Sequence, residues 1–159
     1  MKFVGSACPP RVIFSASALR LGLVLGLSVL LGELRAAPSD LEVRAPWVRA
    51  PAPGVSATAG YFMLVNRSAE DDVLIGASSP RAANVQVHAT ITSGGVARMR
   101  PMSRIAVPAG QTVSFAPGGA HLMFMGLLAP LATGESVPVT LVFESAGELT
   151  VRFVVRSGP

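Results

Sequence analysis

Residues 117–126 read Pro117-Gly118-Gly119-Ala120-His121-Leu122-Met123-Phe124-Met125-Gly126, and this stretch decides the fold class. Pro-Gly-Gly is a chain-reversal signal, and strict two-residue alternation follows it. Leu122 and Phe124 share one face, while His121, Met123 and Met125 share the other. That period belongs to a strand with one side buried. In an extended chain the Cα atoms of His121 and Met123 lie about 7 Å apart with their side chains pointing the same way. Two metal-capable donors can therefore converge on one point.

The same pattern extends outward in both directions. From Leu41 onward, short β-prone runs alternate with Gly, Pro, Asn and Asp turns. The expected strands are Leu41–Val48, Thr58–Val65, Asp72–Ala77, Asn84–Ile91, Gly95–Arg100, Gln111–Phe115, His121–Gly126, Val137–Glu144 and Leu149–Val155. No segment among them holds a helical period, so the pattern predicts an all-β domain, a sandwich or small barrel with Greek-key connections. Within Asn84–Ile91, Val85, Val87 and Ala89 take the core side, which turns Gln86, His88 and Thr90 outward or toward a rim.

Ahead of this domain, residues 1–37 read as an export leader. Lys2 and Arg11 form a positive start, Leu21 to Gly32 is an unbroken apolar run, and Ala36 and Ala37 offer small residues for cleavage. That run is shorter than the roughly 20 residues a membrane span needs. A membrane association is expected only if the leader stays uncleaved. Cys8, the one cysteine, precedes the apolar run, whereas a lipoprotein signal places its cysteine after it. The chain is accordingly expected in the periplasm, with residues 38–159 as the mature domain.

Charge and cysteine usage exclude several function classes. After residue 37 there are nine arginines against eight acids, so the high isoelectric point comes mostly from the leader. No basic stripe with interleaved aromatics supports nucleic-acid binding. The absence of cysteine from residues 38–159 removes disulfides, zinc-thiolate sites, blue-copper centres and c-type haem together. No nucleophile–base pair or paired carboxylates point to an enzyme.

What the mature sequence does carry is a concentration of soft donors. Met99, Met102, Met123 and Met125 fall in the same stretch as His121 and just after His88, while Met63 sits in an apolar run where a core role is expected. Thioether sulfur favours Cu(I), and imidazole accepts copper in either oxidation state. Such donors also avoid the thiolates that an oxidising compartment converts to disulfides. Residue types alone do not say which methionines belong with the two histidines.

The spacing is His88, ten residues, Met99, twenty-one residues, then His121-Leu122-Met123. It resembles the H-x10-M-x21-H-x-M pattern of the periplasmic copper chaperones called PCu(A)C. The resemblance includes Ala45-Pro46-Trp47-Val48-Arg49-Ala50, Ala59-Gly60-Tyr61-Phe62, Met99-Arg100-Pro101, Val107-Pro108-Ala109-Gly110 and Pro117-Gly118-Gly119. It covers about residues 41–155. It implies a cupredoxin-like Greek-key β-sandwich with one Cu(I) near the surface, and by position His88, Met99, His121 and Met123 as ligands. It also implies copper delivery to the CuA centre of cytochrome c oxidase subunit II, or to a Sco-type intermediate.

Two features depart from the family pattern. Ala89 and Thr90 follow His88 where many members have an acid and a methionine, and the chain ends at Pro159 without a His- and Met-rich tail. A single site is therefore expected. Arg98, Arg100 and Arg104 fit either an acidic partner or an ordinary solvated surface. Copper buffering or resistance, and an exported interaction module without metal, are the alternative functions.

Overall fold

The computed structural model describes residues 40–158, and the expected leader lies outside them. Ten strands follow in order: β1 (Leu41–Arg49), β2 (Ala57–Asn66), β3 (Asp72–Ser78), β4 (Ala82–Ser93), β5 (Val96–Pro101), β6 (Ile105–Val107), β7 (Thr112–Phe115), β8 (Ala120–Leu127), β9 (Ser136–Phe143) and β10 (Glu148–Arg156). Nine of them overlap the runs read from the sequence. The tenth, β6, is three residues long and too short to show an alternation of its own.

The strands pair in the order β5-β4-β8-β7-β2-β1-β10-β9-β3-β6. β8 also pairs with β2, and β3 with β4, the latter through Ala77 and Val85. The sheet thereby returns on itself as a rolled sandwich, leaving β5 as a hairpin arm on β4. β1 and β10 run parallel, and most other neighbours run antiparallel. Among the described residues no helix is long and apolar enough to cross a membrane.

Inward-facing residues fill the interior. Phe62 stacks on Phe115 with ring centroids 4.2 Å apart, and Phe153 meets Phe62 edge-on at 5.6 Å. Val48, Leu64, Leu122, Phe124, Val137, Val139 and Leu141 are fully buried around them. Burying each such side chain contributes about 1.5–3 kcal/mol relative to exposure. Two buried polar groups pin the far end. Asn66 donates to the carbonyls of Glu70 and Val107, at 2.8 and 2.9 Å. Asp72 accepts from the backbone amides of Val73, Ser145 and Ala146 at 2.7–3.0 Å.

One irregularity matters for function. β1 slips by one residue between Arg44 and Trp47, where Ala45 adopts φ 47° and Pro46 has no N–H to give the ladder. Before this bulge Leu41 and Val43 face the core; after it Val48 does. Trp47 is consequently turned to the outer face, where it packs on Tyr61 with ring centroids 4.7 Å apart. Met63 departs from expectation in the same way. It is 41% exposed, because Phe62 and Leu64 take the inward positions of β2 and leave Tyr61 and Met63 outside.

Candidate metal centre

Strand register brings the candidate donors together on the outer face of β4, β5 and β8. His88 on β4 lies directly opposite His121 on β8, with ring centroids 6.1 Å apart. Met123 follows His121 by two residues and faces Gln86, the residue two before His88. On the other side of β4, Met99 faces Thr90, the residue two after His88. All four side chains share one side of three adjacent strands, because their partners differ by even steps. Alternation within each strand was legible in the sequence; the direct His88–His121 pairing was not.

A hollow of about 510 Å³ opens on this face, and Arg49, Tyr61, Thr90, Met99, His121 and Met123 line it. His121 is recessed, only 5% exposed, beneath the Tyr61 ring 6.3 Å away. Met99 is the opposite case at 61% exposed, carried on the β5 arm. Met102 gives its backbone N–H to the Val87 carbonyl at 2.8 Å and borders a different hollow with Ile75 and Gln86. Met125 lies opposite Asn84, one pair further along β8. Neither lines the hollow that holds Met99, and His88 reaches the group only through its pairing with His121 and not as part of that lining.

Hydrogen bonding prepares both rings as donors. Nδ1 of His121 donates to the Gly119 carbonyl at 3.0 Å, so the neutral ring keeps its lone pair on Nε2. Nε2 of His88 pairs with the Gln86 side-chain oxygen at 3.2 Å. Nδ1 of His88 is buried and, among the described residues, has no hydrogen-bond partner. Burial, and then the charge of His121, hold the His88 imidazole below its ordinary value. A neutral imidazole with an open lone pair is what a metal ion requires. Such an orphaned buried atom otherwise costs stability.

The chemistry of the lining is soft. It contains two thioethers, an imidazole and no carboxylate, and among the described residues no cluster of three His, Cys, Asp or Glu side chains forms. Hard cations need oxygen ligands, and zinc sites are built from Cys, His and carboxylates. Cu(I) is the common ion that sulfur of this type selects. Tyr61 and Arg49 line the hollow and Gln86 pairs with His88, but none of the three had a functional reading from the sequence. Gln86 could be found from the alternation it shares with His88; Tyr61 and Arg49 depend on long-range register.

Arg104, one of three arginines considered near the site, is engaged elsewhere by Glu144 at 2.5 Å. Arg98 and Arg100, on either side of Met99, have no carboxylate partner among the described residues and stand exposed.

Comparison with known proteins places this arrangement in context. The family model described as "Putative lipoprotein LpqE-like" matches residues 41–155. A protein of Leifsonia xyli subsp. xyli described as a putative lipoprotein is 36% identical over 117 residues, covering 73% of this chain and 69% of that protein. Among solved structures, the copper-bound PCuAC domain from PmoF2 superimposes with a TM-score of 0.65 at 31% identity, covering 77% of this chain and 97% of that one. The Cu(I) form of DR1885 from Deinococcus radiodurans superimposes with a TM-score of 0.60 at 32% identity, covering 79% and 83%. The all-β fold is that of the PCuAC domains.

Proposed function

The chain belongs to the LpqE-like family, and from that premise we propose that it is an exported copper carrier that holds one Cu(I) through His88, Met99, His121 and Met123. The observation that carries the reading is the facing pair His88–His121 with two thioethers on the same side and no carboxylate in the hollow. Two solved structures similar to this chain are described as copper-bound and Cu(I)-bound. The orphaned Nδ1 of His88 supports the same donor set.

Carriage requires release as well as binding, and the unequal depth of the donors suits it. Met99 sits on an exposed arm, so an incoming ligand from an acceptor can displace it first. Met123 and the recessed His121 retain the ion until the acceptor's own donors are in place. Copper remains Cu(I) throughout, because neutral thioethers stabilise that state and no redox partner is needed. The role is transport of an ion and not catalysis of a reaction.

Residues 1–37 are proposed as a cleaved leader, cut near Ala36 or Ala37, with residues 38–159 working in the periplasm. The family description names a lipoprotein, yet Cys8 lies ahead of the apolar run and cannot serve as the usual lipid-bearing cysteine behind it. Delivery to the CuA site of cytochrome c oxidase subunit II, directly or through a Sco-type protein, is the proposed destination. Copper buffering with the same site is the alternative reading.

Time-resolved transfer separates them. A delivery protein hands Cu(I) to the metal-free subunit II domain or to a Sco-type protein faster than free chelated Cu(I) reaches the same acceptor. Transfer no faster than from the chelator would leave buffering as the function.

A further inference from the structure

β5 (Val96–Pro101) ends the strand order, and among the described residues no strand pairs with its outer edge. All six of its residues are exposed, as is β4 from Ile91 onward, so the hairpin reaches past the packed body. The bonding of β5 to β4 fixes what that edge presents. Met102 donates its N–H to the Val87 carbonyl at 2.8 Å, and bonded pairs of an antiparallel ladder alternate with unbonded ones. Counting from that pair, Arg100 and Arg98 bond across to Ala89 and Ile91, whereas Met99 and Ala97 stand opposite Thr90 and Thr92 in unbonded pairs. Thr90 agrees, since its N–H goes the other way, to the Gly119 carbonyl at 3.2 Å. The backbone N–H and C=O of Ala97 and Met99 therefore point into the open edge. The Met99 side chain stays on the face of His88 and Thr90, while Arg98 and Arg100 project from the reverse face with Ala89 and Ile91.

We infer that the free edge of β5 docks an extended segment of the copper acceptor, added antiparallel as a further strand, with a soft donor opposite Met99 and acidic residues on either side of that donor. The inference rests on the proposed carrier function and adds how the partner is held. Strand addition takes its affinity from main-chain hydrogen bonds and its specificity from alternate side chains. Met99 and the residue opposite it form a bonded pair, with Cα atoms about 5.5 Å apart and side chains on one face. The acceptor's donor then takes the place of the Met99 thioether at Cu(I). One copper bond forms as one breaks, with no change of oxidation state. The residues before and after that donor fall opposite Arg98 and Arg100, where carboxylates find guanidinium partners. A second copy of the chain fits the edge poorly. Centred on Met99 or on Arg98, antiparallel self-pairing sets arginine against arginine, which is destabilising. Moved toward Ala97 it meets Gly94 and Gly95, whose φ of 58° and 79° end the strand.

The test reads amide hydrogen exchange of the metal-free protein with a blocked seven-residue peptide, a central methionine flanked by glutamates, then valines, then threonines. At millimolar peptide the Ala97 and Met99 amides are expected to exchange at least about fivefold more slowly, while those of Arg98 and Arg100, already bonded to β4, change less. The same peptide N-methylated on the amides that face β5 is expected to give no slowing, and lysines in place of the glutamates weaken the effect at low salt. Ala97→Pro removes an outward N–H and none from the β4 ladder, so it abolishes docking while Cu(I) affinity, read by chelator competition, stays unchanged. If that variant fails to fold, the N-methylated peptide still decides. No slowing at Ala97 and Met99, or equal slowing by the N-methylated peptide, overturns the inference. So does slowing of the same amides that grows with protein concentration when no peptide is present, since a second copy would then hold the edge. The carrier reading stands or falls separately, because the docking measurement needs no metal. A protein that binds Cu(I) without edge protection keeps that reading and loses this one, and edge protection without Cu(I) uptake does the reverse.

Discussion

Gly60 on β2 sits where a side chain would strike the strand that carries two of the proposed ligands. A Cβ at this position would lie 2.8 Å from Cε2 and 3.6 Å from Cζ of Phe124, and 3.5 Å from Cγ2 of Val48. The Phe124 ring is fully buried and would have to retreat by about 0.6 Å to regain the 3.4 Å of ordinary contact. Overpacking of this kind costs about 1–3 kcal/mol, and alanine returns about 0.4–1 kcal/mol by restricting the unfolded chain, so Gly60→Ala should lose about 1–2 kcal/mol. For a domain of this size that lowers Tm by about 4–8 °C. Gly76 on β3 is the internal control. Its added Cβ would meet Val142 no closer than 3.8 Å, so Gly76→Ala should be neutral or stabilising. Urea denaturation of both variants, with m-values checked for constancy, gives the comparison. Phe124→Leu combined with Gly60→Ala should cost less than the two changes added, because the ring that clashes is gone. A Gly60→Ala protein as stable as wild type, or a Gly76→Ala protein that loses as much, would refute the close-packing argument.

Asp72→Asn should destabilise by about 2–3 kcal/mol at pH 7, because one amide oxygen cannot replace a carboxylate that accepts from three backbone amides. Burial alone would raise this carboxyl, but the amides of Ser145, Val73, Ala146 and Glu144 hold it below its usual range. Its contribution is therefore present above the unfolded value of about 3.9 and disappears as pH falls through the folded-state value. The urea midpoints of wild type and variant should converge in acid; a constant gap would count against this. Met99→Leu should change stability by no more than about 0.5 kcal/mol, since the side chain is exposed, yet lower Cu(I) affinity at least about tenfold. Met63→Leu should do neither, and equal copper losses from both would remove the special role of Met99.

The fold was legible in the sequence wherever a strand buries one face and is long enough to repeat its alternation. Leu122 and Phe124, or Val85 and Val87, announce the core side without help from the rest of the chain. β6 escaped because Ile105–Val107 is shorter than two periods. Met63 was misread because Gly60–Val65 is apolar on both faces, and an unalternating run gives no direction. Trp47 needed the bulge at Ala45–Pro46, whose parity change only the pairing with β2 reveals. At the site, alternation gave the orientation of His88, His121 and Met123, and collinear resemblance chose Met99 over Met102. The register that sets His88 against His121, and Tyr61 above it, joins residues far apart in the chain. No local pattern encodes that pairing.

The proposed ligand set is tested most directly by copper K-edge X-ray absorption on the protein loaded with one equivalent of Cu(I) under reducing conditions. The account predicts a single Cu(I) with two sulfur and two imidazole-nitrogen neighbours, losing one sulfur in Met99→Leu. A shell of nitrogen and oxygen alone, or a sulfur count unchanged by Met99→Leu, would contradict it.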